Sequence, residues 1–326
     1  VPDHSHLRVA VIGGGANDEH DVSLASAAAA ERALRAGGTA TVALTVGRDG
    51  SWHAADGTPL SAAAAVAAIT TCDAAFPLLH GDHGEDGAVA GLLDMIGVPV
   101  VGSPVRAGAL AADKWVTKLV AEALGIATAP GVLVRRTADD REVDVAVRAL
   151  PGPPWVVKPT SAGSSNGVTV VRRSAGVAAA VRHARAAGDA VLVESFVSGR
   201  EVDVALFRDA TGTLRTGAPL EVVVAADQVF DREQKYDGTA DFRVPARLST
   251  AEQAAVTGAA VALYDALGCA GVARFDFFVT DDGVVLNEVN TTPGFTERSQ
   301  VPLVFAAVGL DQVALVDALL RAATAR

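Results

Sequence analysis

Cysteine, methionine and tyrosine are scarce in this chain, with two, one and two residues among 326. The cysteines, Cys72 and Cys269, stand far apart without metal-type spacing. That excludes a disulfide framework and predicts free thiols in a reducing compartment. Long apolar runs are missing as well. The alanine-rich stretch 61–69 is far short of the ~20 residues of a membrane span. The first residues lack a basic region followed by an apolar one, so no signal peptide is expected and the predicted location is the cytoplasm. Basic residues are outnumbered, 27 Lys+Arg against 38 Asp+Glu, for a formal net charge of -11. Such a balance argues against a nucleic-acid surface, while leaving room for a local basic cleft around an anionic ligand.

What is present is a chain 50% hydrophobic, longer than the roughly 100–200 residues of one domain. The first third alternates predicted strands (7–12, 39–46, 74–79, 99–101) with a helix over 24–36 closed by Gly37-Gly38. This α/β alternation implies a parallel sheet covered by helices. Further along, one helix is expected over about 109–124, and strands at 155–158 and 168–172 flank a small-residue loop, 160–167. Strands at 191–194 and 201–207, a polar loop at 227–241 and helices at about 250–267 and 310–325 complete the reading. The turn-rich join at Gly102-Ser103-Pro104 suggests units at 1–103, 104–193 and 194–326.

The most informative segment is a predicted hairpin, 271–280 and 284–290, turning at Asp281-Asp282-Gly283. With Thr280 and Val284 closing a three-residue loop, Asp276 opposes Glu288 and Arg274 opposes Asn290. Side chains two apart share a face, so these four project together while Phe275, Phe277, Val285 and Val289 take the other side. Directly opposed carboxylates repel, and the pair calls for a cation. A magnesium ion held by carboxylates and phosphate oxygens supplies one. A surface hairpin in which Arg274 neutralises the pair is the competing reading. Thr291-Thr292-Pro293-Gly294 follows and brings backbone N–H groups to the same face, where they would stabilise an anion.

Other segments carry weaker signals. Lys158 opens a hydroxyl- and glycine-rich loop, Thr160 to Gly167, suited to phosphates but not a Walker sequence. A plain hairpin turn is its alternative. Gly13-Gly14-Gly15 is a tight strand exit rather than a dinucleotide fingerprint, since Asp18 breaks the pattern. Glu19-His20 beyond it either reaches a ligand or caps the following helix. The run His80-Gly81-Asp82-His83-Gly84-Glu85-Asp86-Gly87 ends an apolar strand, where open α/β sheets bind ligands. A substrate loop fits it better than zinc, which needs further ligands that are not evident. Glu194 and Glu201 flank a short connector suited to an adenosine, or are solvated acids.

Taken together, these segments resemble the D-alanine–D-alanine ligase family of ATP-grasp enzymes. The matching motifs are Glu19-His20-Asp21-Val22-Ser23, His80-Gly81-x-x-Gly84-Glu85-Asp86-Gly87, Lys158-Pro159 with Gly163-Ser164-Ser165, Lys235-Tyr236, and Arg274-x-Asp276 … Glu288-x-Asn290-Thr291-x-Pro293-Gly294. They run in family order along nearly the whole chain. The resemblance implies an ATP-grasp fold, α/β with α+β lobes, behind an N-terminal Rossmann-like parallel-sheet domain. It implies ATP and Mg²⁺ as cofactors, two ions, with Mn²⁺ as an alternative. Asp276, Glu288 and Asn290 would hold the metal. Lys114, Lys158 and Ser165 would hold phosphates, and Glu194, Ser195, Val197 and Glu201 adenosine. Glu19, with His80 close by, would take the ammonium of a first D-alanine, and Arg274 and the Gly294 N–H the oxyanion. Lys235, Ser299 and Gln300 would border the second substrate. Ser164 and Tyr236 would link to Glu19 beneath a lid at 227–241.

The implied reaction makes an acyl phosphate and then a peptide bond between two D-amino acids, for peptidoglycan precursors. The implied partners are small molecules, without nucleic acid or membrane, and the resemblance allows a homodimer. Departures from the family pattern at Asn17, Asn166, Arg232 and Gln300 bear on substrate choice. A related ligase with another second substrate (D-serine, D-lactate or a natural-product amino acid) is the alternative, and a non-catalytic ATP-binding relative the more distant one.

Overall fold

The computed structural model describes residues 7–188, 190–223 and 241–325. The expected lid, including Arg232, Lys235 and Tyr236, therefore lies almost wholly outside the described residues. Three sheets organise the rest.

The first sheet contains β1 (Arg8–Gly14), β2 (Ala40–Val46), β3 (Trp52–Ala54), β4 (Pro59–Leu60) and β5 (Ala74–Pro77), in the order β4-β3-β2-β1-β5. β1 lies parallel to both β2 and β5, as the alternation predicted. β3 and β4 extend the edge antiparallel, which the sequence reading missed. The expected strand at 99–101 is reduced to a single bridge, Ala75 to Val100. Helix α1 (His20–Ala36) covers β1 closely: a Cβ on Gly13 would come within 2.6 Å of the Ala27 Cβ. Gly14 has φ +94, and a Cβ there would strike the Val46 carbonyl oxygen at 2.1 Å. Only glycine fits that strand exit. Helices α2 (Ala62–Ile69) and α3 (Ala88–Met95) complete this lobe.

The helix expected over 109–124 is two, α4 (Val105–Ala112) and α5 (Lys114–Ala123). Asp113 breaks them with extended backbone and caps α5, its side chain accepting from Trp115 and Val116 N–H. Ser, Thr, Asp and Asn favour this position because a short acceptor satisfies otherwise orphaned donors. Strand β6 (Ala127–Thr128) leads to β7 (Gly131–Val134), α6 (Asp140–Ala146), β8 (Trp155–Pro159), β9 (Thr169–Val171), α7 (Val177–Arg185) and β10 (Val191–Ser195). These strands form an antiparallel sheet, β7-β10-β8-β9.

The third sheet has β11 (Arg200–Arg208), β12 (Leu214–Thr216), β13 (Leu220–Val223), β14 (Asp241–Arg243), β15 (Ala273–Thr280) and β16 (Gly283–Asn290), in the order β14-β13-β11-β15-β16-β6 with β12 on β11. Helix α8 (Thr250–Leu267) lies across one face, opened by a Ser249–Glu252 capping box and closed by left-handed Gly268. Ala111 of α4 and Ala121 of α5 enter the core beneath α8, so the start of the expected 104–193 unit packs on the third sheet. On the other face, β11 and β13 share a core with β1, β5, α1 and the final helices α9 (Gln300–Ala306) and α10 (Gln312–Thr324). Phe76 and Phe295 meet edge-to-face there, centroids 5.5 Å apart, pinning the loop after β16 to the first lobe.

Candidate active site

The β15–β16 hairpin delivers the expected pairs by an unexpected route. Its loop has two residues, Asp281-Asp282, because Thr280 pairs with Gly283 and not with Val284. That register alone would set Asp276 against Asn287. A β-bulge at Asn287 restores it, and Asp276 opposes Glu288 and Arg274 opposes Asn290. The bulge also corrects the core: Leu286 is buried with Phe275, Phe277 and Val289, whereas Val285 pairs with Phe278 and stays outside that cluster.

On the site face, Arg274 grips Asp276 with two parallel bonds, Nε–Oδ1 and Nη2–Oδ2, both 2.7 Å. The Asn290 amide donates to Asp276 Oδ2 at 3.1 Å. β11 adds a third carboxylate that the sequence reading missed. Asp203 lies directly across from Asp276, 2% exposed, with Oδ2 3.8 Å from Arg274 Nε. Burial works against the Arg274 charge, but Asp276, Asp203 and Glu288 outweigh it and hold the guanidinium above its ordinary pKa.

The facing wall is basic. Lys158, at the end of β8, lies 2.5 Å from Glu194 Oε1 on the neighbouring β10. Lys118 of α5 lies 3.2 Å from Glu194 Oε2 and donates to the Ala129 carbonyl. Its burial lowers its pKa, opposed by Glu194 and reinforced by Lys158. Lys118 went unremarked in the sequence because the Asp113 break sets which lysine of α5 faces inward. Lys114, expected at phosphate, joins two parts of the cleft: its ammonium donates to the Ala162 carbonyl at 2.8 Å and lies 3.5 Å from Glu288 Oε2. Lys158 also donates to Asn287 Oδ1 at 3.1 Å, so the bulge residue ties the walls together. Ser195 ends β10, half-buried Val197 lies in the connector, and half-buried Glu201 is the second residue of β11, on the same face as Asp203.

A carboxylate-lined corner completes the cleft. Glu19 occupies the N-cap position of α1 but makes no side-chain cap. Its Oε1 instead accepts from Ser164 Oγ in the 160–167 loop, where Ser164 and Ser165 adopt left-handed φ of 50° and 58°. Two glycines make room for it: a Cβ on Gly81 or on Gly163 would come within 2.6 Å of Glu19 Oε2. Asn17 locks the corner, donating to the His80 and Asp82 carbonyls at 2.9 and 3.1 Å and accepting from Glu19 N–H at 2.9 Å.

Buried His80 has both ring nitrogens engaged. Ser26 Oγ accepts from Phe295 N–H, so its own proton goes to His80 Nε2 at 3.0 Å. His80 Nδ1 then donates to the Thr292 carbonyl at 2.7 Å. Burial lowers its pKa, with Glu19 opposing, so the ring is neutral. Glu85 is half-buried at the same corner. Desolvation and the Glu19 and Glu288 carboxylates push it up to about 8, against the Gly81 N–H bond and Lys114. Gly294 and Ser299 face each other across the last turn, a Cβ on Gly294 falling 3.1 Å from Ser299 Oγ. Gln300 Nε2 donates to Asp203 Oδ2 at 2.5 Å.

Two opposed carboxylates and an amide, all oxygen donors on one face, suit a hard divalent cation. Among the described residues there is no cluster of three or more His, Cys, Asp or Glu fit to hold a metal alone. This donor set would therefore be completed by a ligand's phosphate oxygens. No helix of the described residues is long and apolar enough to cross a membrane.

Three sheets around a cleft with one acidic and one lysine-rich wall have the architecture of an ATP-grasp protein, and solved structures agree. The chain superposes on the VanG D-Ala:D-Ser ligase of Enterococcus faecalis with a TM-score of 0.84 and 30% identity, covering 97% of this chain and 99% of that one. With the D-alanine-D-alanine ligase of Coxiella burnetii the TM-score is 0.80 at 26% identity, covering 98% and 95%. The family model described as D-ala D-ala ligase C-terminus matches residues 120–321, and that of the N-terminus residues 57–103. Among curated relatives, the D-alanine--D-alanine ligase of Chlorobium luteolum is 38% identical, covering 98% of this chain and 97% of its own. That of Mycolicibacterium vanbaalenii is 35% identical, covering 99% and 98%. The chain belongs to the D-alanine–D-alanine ligase family. Membership carries ATP use and, in general, dependence on a divalent metal.

Proposed function

We propose that the chain joins two D-amino acids in an ATP- and Mg²⁺-dependent reaction, with D-alanine as the first substrate. The observation that carries this reading is the pairing of Asp276 with Glu288, beside Arg274 and Asn290, opposite Lys118 and Lys158. A carboxylate is a poor electrophile. An oxygen of the first substrate's carboxylate attacks the γ-phosphorus of ATP, ADP leaves, and an acyl phosphate results. The amine of the second substrate attacks the acyl carbon and loses a proton. The C–O bond to phosphate then breaks, leaving a peptide bond.

Asp276, Glu288 and Asn290 would hold the metal, two Mg²⁺ ions with Mn²⁺ as a substitute, which screens phosphate charge when bound. Lys114, Lys158, Lys118 and Ser165 hold phosphates, and Lys114 also steadies the 160–167 loop against Glu288. Glu194, Ser195, Val197 and Glu201 take adenosine. Glu19, clamped by Ser164 and Asn17, receives the first ammonium, and His80 acts as the neutral strut behind it. Arg274 and the Gly294 N–H face the oxyanion. Ser299 and Gln300 border the second substrate. Lys235 and Tyr236, outside the described residues, would belong to the expected lid at 227–241, whose role would be to keep water from the acyl phosphate. The units expected at 1–103, 104–193 and 194–326 would enclose the nucleotide, with the start of the second, α4 and α5, packed on the third sheet. The relatives' names support D-alanyl-D-alanine as product. On this reading the chain supplies peptidoglycan precursors in the cytoplasm, as a homodimer.

The test is phosphate release from ATP and Mg²⁺ across pairs of D- and L-amino acids and D-lactate. Release is expected with D-alanine present, and tight ATP binding without release for any pair would defeat the reading.

A further inference from the structure

Two carboxylates, Glu19 and Glu85, converge on Gly81. A Cβ on Gly81 would fall 2.6 Å from Glu19 Oε2, and the Gly81 N–H donates to Glu85 Oε2 at 3.2 Å. The turn between them is fixed from both ends. The Glu85 N–H donates to the Gly81 carbonyl at 2.9 Å, and Asn17 fastens the His80 and Asp82 carbonyls to the Glu19 backbone. Ser164 Oγ donates to Glu19 Oε1. Among the described residues, neither Glu19 Oε2 nor Glu85 Oε1 accepts a hydrogen bond, and both oxygens are open to solvent. Lys114 forms no ion pair with Glu85, its ammonium being held by the Ala162 carbonyl and Glu288. Burial and the Glu19 charge accordingly hold the Glu85 carboxyl up to about 8.

We propose that Glu85 is a second carboxylate ligand for the ammonium of the first amino acid, which Glu19 and Glu85 hold between them. This inference rests on the ligase reading above and deepens it. An ammonium has three N–H donors. Glu19, with one oxygen given to Ser164, offers its other oxygen to one of them, and Glu85 Oε1 supplies the next acceptor. The arriving cation relieves the repulsion between the two acids, and Glu85 releases its proton to solvent. The pair also answers a chemical problem. Two amino acids enter one cleft, and only the second is to act as a nucleophile. Opposite charges close to a group favour its charged form. Two of them keep the first amine protonated and its lone pair unavailable, so it cannot attack an acyl phosphate. A hydroxy acid brings no cation to the pair, so the first position rejects it.

The experiment is a competition for the first position. Wild type and Glu85→Gln are given ATP, Mg²⁺, D-alanine and a large excess of D-lactate. D-alanyl-D-alanine and D-lactyl-D-alanine are then counted by mass, after alkali has removed any ester formed by lactate in second position. Both products carry D-alanine second, so their ratio reports the first position alone. Glutamine still accepts the Gly81 N–H and removes only the charge. The ratio of alanyl to lactyl product is expected to fall about 10-fold or more in Glu85→Gln, the scale of one hydrogen bond to a charged group. A merely structural role would lower both products together. A ratio within about two-fold of wild type, or no lactyl product from the variant, overturns the proposal and leaves the ligase reading intact. No dipeptide of either kind from the wild type overturns both. Should Glu85→Gln fail to fold, calorimetry of D-alanine binding to the wild type at pH 7, in buffers of different ionisation enthalpy, decides instead. Proton release on binding is expected, and its absence overturns the proposal.

Discussion

The cleft has two charged, largely buried walls built in different ways. The acidic wall sets Asp203, Asp276 and Glu288 on adjacent strands around one guanidinium, Arg274. The basic wall sets Lys118 and Lys158 around one carboxylate, Glu194. Each minority charge holds its wall together, and each wall keeps an excess of its own sign. Buried like charges are costly unless something completes them. On the proposed reading, a metal–polyphosphate complex would complete both at once, cation to the acids and phosphates to the lysines. Lys114 to Glu288 and Lys158 to Asn287 are the contacts that keep the walls in register.

Breaking the acidic wall should have the largest effect. Glu288→Gln preserves shape and removes charge, and kcat is expected to fall by roughly two to three orders of magnitude, the several kcal/mol a catalytic cation supplies. Thermal melts should change little, and a near-normal kcat would remove the metal role from this hairpin. On the basic wall, Lys158→Met should weaken ATP binding and also lower stability. The loss is expected on the order of 3 kcal/mol, the low end for breaking a buried pair, because Lys118 stays with Glu194. Denaturant titration reads the second effect and nucleotide binding the first. Loss of binding with unchanged stability would mean the triad is not holding the wall.

The corner between the walls offers a pH test. The Glu85 pKa is raised from an ordinary 4.5 to about 8, so the folded state holds this proton more tightly than the unfolded chain. Its favourable contribution is complete below about 4.5 and is lost as pH rises through about 8. Glu85→Gln should remove that alkaline loss, and its melting temperature at pH 9 should exceed the wild type's. Parallel melting profiles for the two proteins from pH 5 to 9 would contradict the assignment. The smallest effect is expected at the contact between walls. Asn287→Ala deletes one hydrogen bond to a charged group, worth about 1.5–3 kcal/mol at most and less at a part-exposed site. A several-fold rise in the KM for ATP is expected, with kcat nearly unchanged.

The same contrast explains what was legible in the sequence. The Asp276–Glu288 pairing could be read because both residues lie on one hairpin, where alternation and a turn determine who faces whom. Even there the pairing arises by a route that alternation does not show. A two-residue loop and a bulge at Asn287 cancel, and nothing in period-two patterning marks which residue is extra. Lys158 and Glu19 were visible through the loop chemistry around them. Asp203 was not, because its neighbour Asp276 lies far along the chain and only the β11–β15 register joins them. Lys118 was hidden by an apparently continuous helix whose break depends on the Asp113 cap. Parallel strands β1, β2 and β5 were plain from βα alternation, while the short edge strands β3 and β4 carry too few residues to show a period.

The central claim is that the carboxylate of the first substrate is activated as an acyl phosphate between these walls. The direct test uses D-alanine with ¹⁸O in its carboxylate, turned over with ATP, Mg²⁺ and a second D-amino acid. The account predicts ADP and inorganic phosphate carrying one ¹⁸O taken from the substrate. Unlabelled phosphate alongside dipeptide, or AMP and pyrophosphate as products, would contradict it.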